Sequence, residues 1–221
     1  MRPILSESSL AGYTARQLSH FFPDGTPLRD FQRALRSALP QVLPRLARIA
    51  VVSRPPMFHR GDEVIFDHLF SDQYAMYLYL LAREVGVHLG QPEVATKLYL
   101  LNKALHAIDA YYEIELPDIF TFMHPVGTVL GRAVYGERLV VMQNCTVGNV
   151  RDIYPVIGSE VTLCAGAMVL GATQLGDGVT VGAGAMIIGR KVPAGVTVVG
   201  RGASVTYTQS GRPPMSREFY F

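Results

Sequence analysis

The chain has 221 residues, 49% of them apolar, and a formal net charge of +2. That length suits two modest domains, and the near-neutral balance argues against a polyelectrolyte as the main partner. No apolar run is long enough to span a bilayer, and MRPILSESSLAGYTARQ at the start has no signal-peptide core. The sequence therefore predicts a cytoplasmic protein with no membrane span.

Residues 1–110 are predicted to form an α-helical domain. Pro27 opens LRDFQRALRSALPQVLPRLARIAV, in which Leu28, Phe31, Leu35, Leu39, Val42 and Leu46 recur at helical spacing. Pro40 and Pro44 are expected to break or kink this helix. Ser71 is placed as the N-cap of a second helix through Tyr74, Leu78 and Leu81 that ends near Gly86. Pro92 falls in the first turn of a last helix, which leads into the C-terminal half. Seven arginines lie between Arg29 and Arg60. Nearby acidic residues, and the want of an aromatic–basic motif, favour a solvated helix face over a nucleic-acid surface. His20, His59, His68, His88 and His106 have no metal-ligand spacing, and no metal is expected.

Residues 111–205 are predicted to form a second domain, in which Pro117 to Val205 repeats every six residues. Ile157, Leu163, Val169, Leu175, Val181, Ile187, Pro193, Val199 and Val205 stand six apart, and Pro117, Met123, Val129, Tyr135, Val141 and Val147 keep the same step upstream. Glycine often follows the lead residue, as at Gly158, Gly176, Gly182 and Gly200. Six fits neither a helix nor plain strand alternation; it fits a parallel β-helix with three flat sides, lead side chains pointing inward and small residues easing the corners. The chain length allows roughly five coils. From Val147 to Ile157 the step is ten, so Asn149–Val156 carries a four-residue insertion, expected as an ejected loop. Cys145 and Cys164 fall on small-residue positions and are expected to be unpaired. Residues 206–221 form a C-terminal tail.

His124 is the one histidine beyond residue 106 and stands one position past a lead, in FTFMHPVGTVLG. There a side chain can leave the coil at a corner. Glu113, Glu115 and Asp118 lie just upstream as carboxylates that could orient an imidazole. A neutral imidazole so held can take a proton from a hydroxyl or an amine near pH 7.

FMHPVGTVLGRAVYGERLVVMQNCTVG and VIGSEVTLCAGAMVLGATQLGDGVTVGAGAMIIG resemble the serine acetyltransferase family of hexapeptide-repeat acyltransferases, over about residues 98–205. The resemblance implies an α+β chain, with the N-terminal α-helical domain followed by a left-handed parallel β-helix. It also implies a homotrimer or a dimer of trimers, acetyl-CoA as donor, and direct transfer without a covalent enzyme intermediate. His124 matches the family's general base, and Glu115 the carboxylate that pairs with it. One hexad fewer separates the two here, so Asp118 or Glu113 could fill that role. Gly148, Ala165 and Ala183 match positions where the backbone lies against the pantetheine arm of CoA.

Met123 stands where the family has an acidic residue, and Ile153 and Tyr154 where it has an Arg-His pair for the serine carboxylate. A substrate pocket lined by Met123 and Tyr154 lacks both ionic partners of a zwitterion, which favours a sugar or another alcohol or amine over serine. Arg151 and Asp152 are the charges left in that loop. Two other functions are weighed: a non-catalytic scaffold with His124 as a plain corner residue, and a metal-dependent enzyme of the γ-carbonic anhydrase type. The latter needs three histidines over the coils, where this repeat has one.

Overall fold

The computed structural model describes residues 1–54, 57–209 and 213–221. Among the described residues, the N-terminal half carries four α-helices: α1 (Glu7–Phe21), α2 (Leu28–Val52), α3 (Ser71–Arg83) and α4 (Pro92–His106). Among the described residues, no helix is long and apolar enough to cross a membrane. The Ser6 side chain caps α1 by accepting the Ser9 N–H. Contrary to expectation, α2 runs unbroken through Pro40 and Pro44. Both prolines lie on its exposed side, so the carbonyls that lose an N–H partner meet water. Phe31, Leu35, Ala38, Leu39, Val42, Leu46 and Ile49 keep the opposite face packed.

Ser71 is the first residue of α3 rather than its cap; Phe70 holds the cap position without a side-chain bond. A three-stranded sheet of Arg2–Pro3, Glu63–Phe66 and His59–Arg60 was not foreseen. Its strands are too short for an alternating pattern to be read.

The spacing of α3 also understates its burial. Asp72 to Ala82 are all buried, as expected of a helix with neighbours on every side. The Tyr79 ring stands edge-on to Phe120, with centroids 5.6 Å apart, and its hydroxyl donates to the Ile114 carbonyl. This contact seats the helical half on the first coil.

The solenoid has three faces. The first holds Val134–Tyr135, Val156–Ile157, Gln174–Leu175 and Lys191–Val192. The second holds Phe120–Phe122, Leu139–Val141, Thr162–Leu163, Thr180–Val181 and Val196–Val199. The third holds Asp109–Ala110, Val129–Leu130, Thr146–Gly148, Met168–Leu170 and Met186–Ile188. Strands within a face are parallel, except that Thr206–Gln209 returns antiparallel along Val196–Val199.

Through the middle coils the predicted leads stack on one another: Tyr135 on Ile157 and Leu175, Val141 on Leu163 and Val181, Val147 on Val169 and Ile187. At both ends the six-residue step slips. Phe122 pairs with Val141, Leu130 with Val147, Val192 with Leu175 and Val198 with Val181. These four point inward, in place of the predicted Met123, Val129, Pro193 and Val199. Val129 and Val199 are 41% and 44% exposed.

The late slip follows a tight turn at Gly189, whose φ is +60°. The early one falls at the turn that carries His124, with eight residues from Phe122 to Leu130 and five from Leu130 to Tyr135. The first coil also has no strand on the first face. Residues 111–119 run along the helical half instead, where the Arg45 guanidinium donates to the Leu116 and Pro117 carbonyls. The insertion is a loop as expected, closed by a Val150–Ile153 bridge with Arg151 and Asp152 in the left-handed region.

Gly136, Gly158 and Gly176 stack at the corner between the first and second faces. A Cβ on Gly136 would lie 2.4 Å from the Gly158 carbonyl carbon, and one on Gly158 would lie 2.8 Å from that of Gly176. Backbone cannot swing aside as a side chain can. Gly158→Ala is therefore expected to cost about 1–3 kcal/mol through overpacking. Chemical denaturation checks this, and an unchanged midpoint would show that the corner spreads freely.

Of the tail, residues 210–212 lie outside the described residues. Beyond them the chain folds back on the second face. Tyr220 is buried and donates its hydroxyl to Leu139, while the Phe221 N–H donates to Val52 at the end of α2. The tail thus bridges the two halves.

Candidate active site

His124 occupies the turn between Phe120–Phe122 and Val129–Leu130, at the corner of the second and third faces. Its backbone is left-handed, with φ +50°, and its side chain is 73% exposed. The turn is held by neighbours on both sides. The Gly127 N–H donates to Ala107, and a Cβ on Gly127 would lie 2.2 Å from Asn144 Oδ1.

The carboxylate beside His124 comes from the helical half. Asp72 Oδ2 accepts the His124 backbone N–H at 3.0 Å and lies 3.5 Å from Nδ1 of the ring. Asp72 is 1% exposed and sits in the first turn of α3, where the positive end of the helix supports a negative charge. The Ser71 hydroxyl donates to its other oxygen. With Nδ1 beside Asp72, Nε2 is the ring nitrogen left to meet a substrate. His106 offers no comparable base: burial pulls its pKa down to about 4, and Nδ1 is engaged with Asn102.

The carboxylates expected from sequence lie elsewhere. Glu115 is 3.6 Å from Arg83 with its side chain 82% exposed, Asp118 is 3.5 Å from Arg45, and Glu113 is 4.0 Å from Arg132. None is brought to His124, because residues 111–119 are tied to the helical half. Arg83 donates to the Tyr112, Glu113 and Ile114 carbonyls there. Sequence reasoning missed Asp72. The signal available was a carboxylate opening SDQYAMYLYLLAR, a helix otherwise nearly free of charge.

The strand register places His124, Gln143, Ala165, Ala183 and Gly200 in one column, each two residues past an inward-facing one. Main-chain bonds from Gly166 to Gln143 and from Gly184 to Ala165 tie the column together. Ala165 and Ala183 follow Gln143 in that column and carry small side chains. Met123 is partly buried next to the histidine. Gly148 and Tyr154 lie at the other end of the third face, Tyr154 exposed in the inserted loop. One chain does not bring them to His124. Cys145 and Cys164 are free thiols, and burial pushes Cys145 up to about 11, which leaves it unreactive. Among the described residues, no group of three or more His, Cys, Asp or Glu could hold a metal ion.

Residues 154–189 match the family model described as bacterial transferase hexapeptide (six repeats). Solved structures align over nearly the whole chain. A serine acetyltransferase from Brucella abortus strain S19 is 22% identical with a TM-score of 0.70, over 92% of this chain and 83% of that one. One from Vibrio cholerae O1 biovar El Tor N16961 is 21% identical with a TM-score of 0.75, over 95% and 82%. The chain has the fold of these serine acetyltransferases, and its middle coils carry the hexapeptide repeat. A serine acetyltransferase solved in complex with CoA shares this fold at 18% identity and a TM-score of 0.71, over 92% and 86% of the two chains. No curated protein sequence is significantly similar. The family model covers the middle coils, where the six-residue step is strict, and stops short of His124.

Proposed function

We propose that the protein is an acetyl-CoA-dependent acetyltransferase acting on a hydroxyl or an amine, with His124 as general base. The observation that carries this is an exposed imidazole, fixed beside a buried carboxylate, at a corner of a chain with the serine acetyltransferase fold. Nε2 removes the acceptor's proton as the acceptor oxygen or nitrogen attacks the thioester carbonyl. The tetrahedral intermediate then expels CoA as its C–S bond breaks, and the imidazolium returns the proton to the sulfur. Ala165 and Ala183 fit the thin pantetheine arm. The complex of CoA with a protein of the same fold supports that donor.

One corner cannot enclose a substrate. A homotrimer, or a dimer of trimers, brings a second wall, and Gly148 and Tyr154 at the neighbouring corner are the residues we assign to it. Glu115 and Asp118 are left with their arginines, outside the chemistry. Met123, Ile153 and Tyr154 offer no ionic partner to an amino acid's charged groups, so the acceptor is an uncharged alcohol or amine such as a sugar. Release of CoA thiol from acetyl-CoA tests this against L-serine, homoserine and amino sugars. The expected kcat/KM for L-serine is ~10²-fold or more below that of the best acceptor. A millimolar or lower KM for L-serine with many turnovers per second would make serine the acceptor. No CoA binding at all would leave a scaffold.

A further inference from the structure

We infer that Asp72 is the positioning residue of this site, so that the helical half sets the orientation of the base; this rests on His124 being that base. Glu115 holds that place by resemblance, but in this chain it faces Arg83. Asp72 is a buried carboxylate with no lysine or arginine within 4.0 Å among the described residues. A buried charge without a cation is unfavourable. Here the start of α3, the Ser71 hydroxyl and the His124 N–H offset part of that cost.

The missing cation appears during the reaction. When Nε2 takes the acceptor's proton, the ring becomes an imidazolium whose Nδ1–H faces Asp72 Oδ2, 3.5 Å away. The carboxylate therefore favours the charged ring over the neutral one and holds Nδ1 as the protonated nitrogen. Its bond to the His124 N–H also pins a left-handed backbone at a turn where φ is +50°. Pro125, Val126 and Gly127 on its own turn, and Gln143 and Asn144 on the next coil, carry no charge. A solenoid without the helical half would keep the histidine and lose what aims it.

Asp72→Asn is the informative change, since an amide oxygen can still accept the His124 N–H while the charge is gone. Histidine-selective NMR on the full chain reads the ring directly, with its signal assigned by loss in His124→Asn. In the wild type the ring is expected to carry its proton on Nδ1, and in Asp72→Asn on Nε2, because the amide can donate to Nδ1. The variant's kcat should fall by ~10²-fold or more, with KM for acetyl-CoA unchanged. A ring with the same tautomer in both proteins overturns the inference, even if activity drops, because a purely structural aspartate would not move it. A changed tautomer in a protein that transfers no acetyl group upholds the coupling and removes the proposed function instead. Should Asp72→Asn fail to fold, Asp72→Glu keeps the charge. Its ring should keep the wild-type tautomer, and a proton on Nε2 would overturn the inference.

Discussion

Replacing His124 with asparagine is expected to slow acetyl transfer by ~10²–10⁴-fold while leaving the fold and CoA affinity nearly unchanged. Asparagine is a cleaner choice than alanine at this position. The backbone sits at φ +50°, a region that asparagine tolerates and that strains alanine by about 1 kcal/mol. The side chain is 73% exposed, so little packing is lost with it. The small residues assigned to CoA lie further along the corner column and are untouched. Single-turnover kinetics with the best acceptor, beside calorimetric titration of CoA, separates the two effects. Activity within a few-fold of wild type would place the base elsewhere, and His106, held near pKa 4 by burial, could not take over.

Phe122→Ala is expected to cost about 3–5 kcal/mol of stability. The ring is fully buried, with centroids 5.0 Å from Phe120 and 6.4 Å from Tyr79 on α3. It is core to the first coil and to the junction with the helical half, so the cavity cannot collapse from one side alone. Val129→Ala is the companion change: strict six-residue spacing puts Val129 in the core, but it is 41% exposed and should cost at most about 0.5 kcal/mol. Equilibrium denaturation of both variants reads the phase of the first coil. Equal losses would mean that the coil packs in the register the spacing suggested. Because Phe122 lies two residues before His124, its variant should also lose turnover under conditions where it remains folded.

The small residues at positions 165 and 183 gain their meaning in the same way. Sequence shows only that they are small. The register shows that they share a column with His124, which makes a path for a thin ligand a physical suggestion rather than a pattern match.

By itself the sequence determined the solenoid, its inserted loop and the corner position of His124. From Tyr135 to Ile187 every inward residue has the same kind of neighbour above and below, so one local rule repeats and can be read without coordinates. It also determined that α2 has one apolar face, although not that its two prolines would fall on the other side. Only the tertiary structure decided the ends of the solenoid and the partner of the histidine. Phe122 and Leu130 turn inward across an eight-residue step, Phe122 against Tyr79 of α3, and residues 111–119 follow Arg45 and Arg83 instead of forming a strand. Asp72 meets His124 across 52 residues of chain. That contact depends on how one buried helix lies against one short strand, a matter of packing between elements that no spacing within either of them encodes.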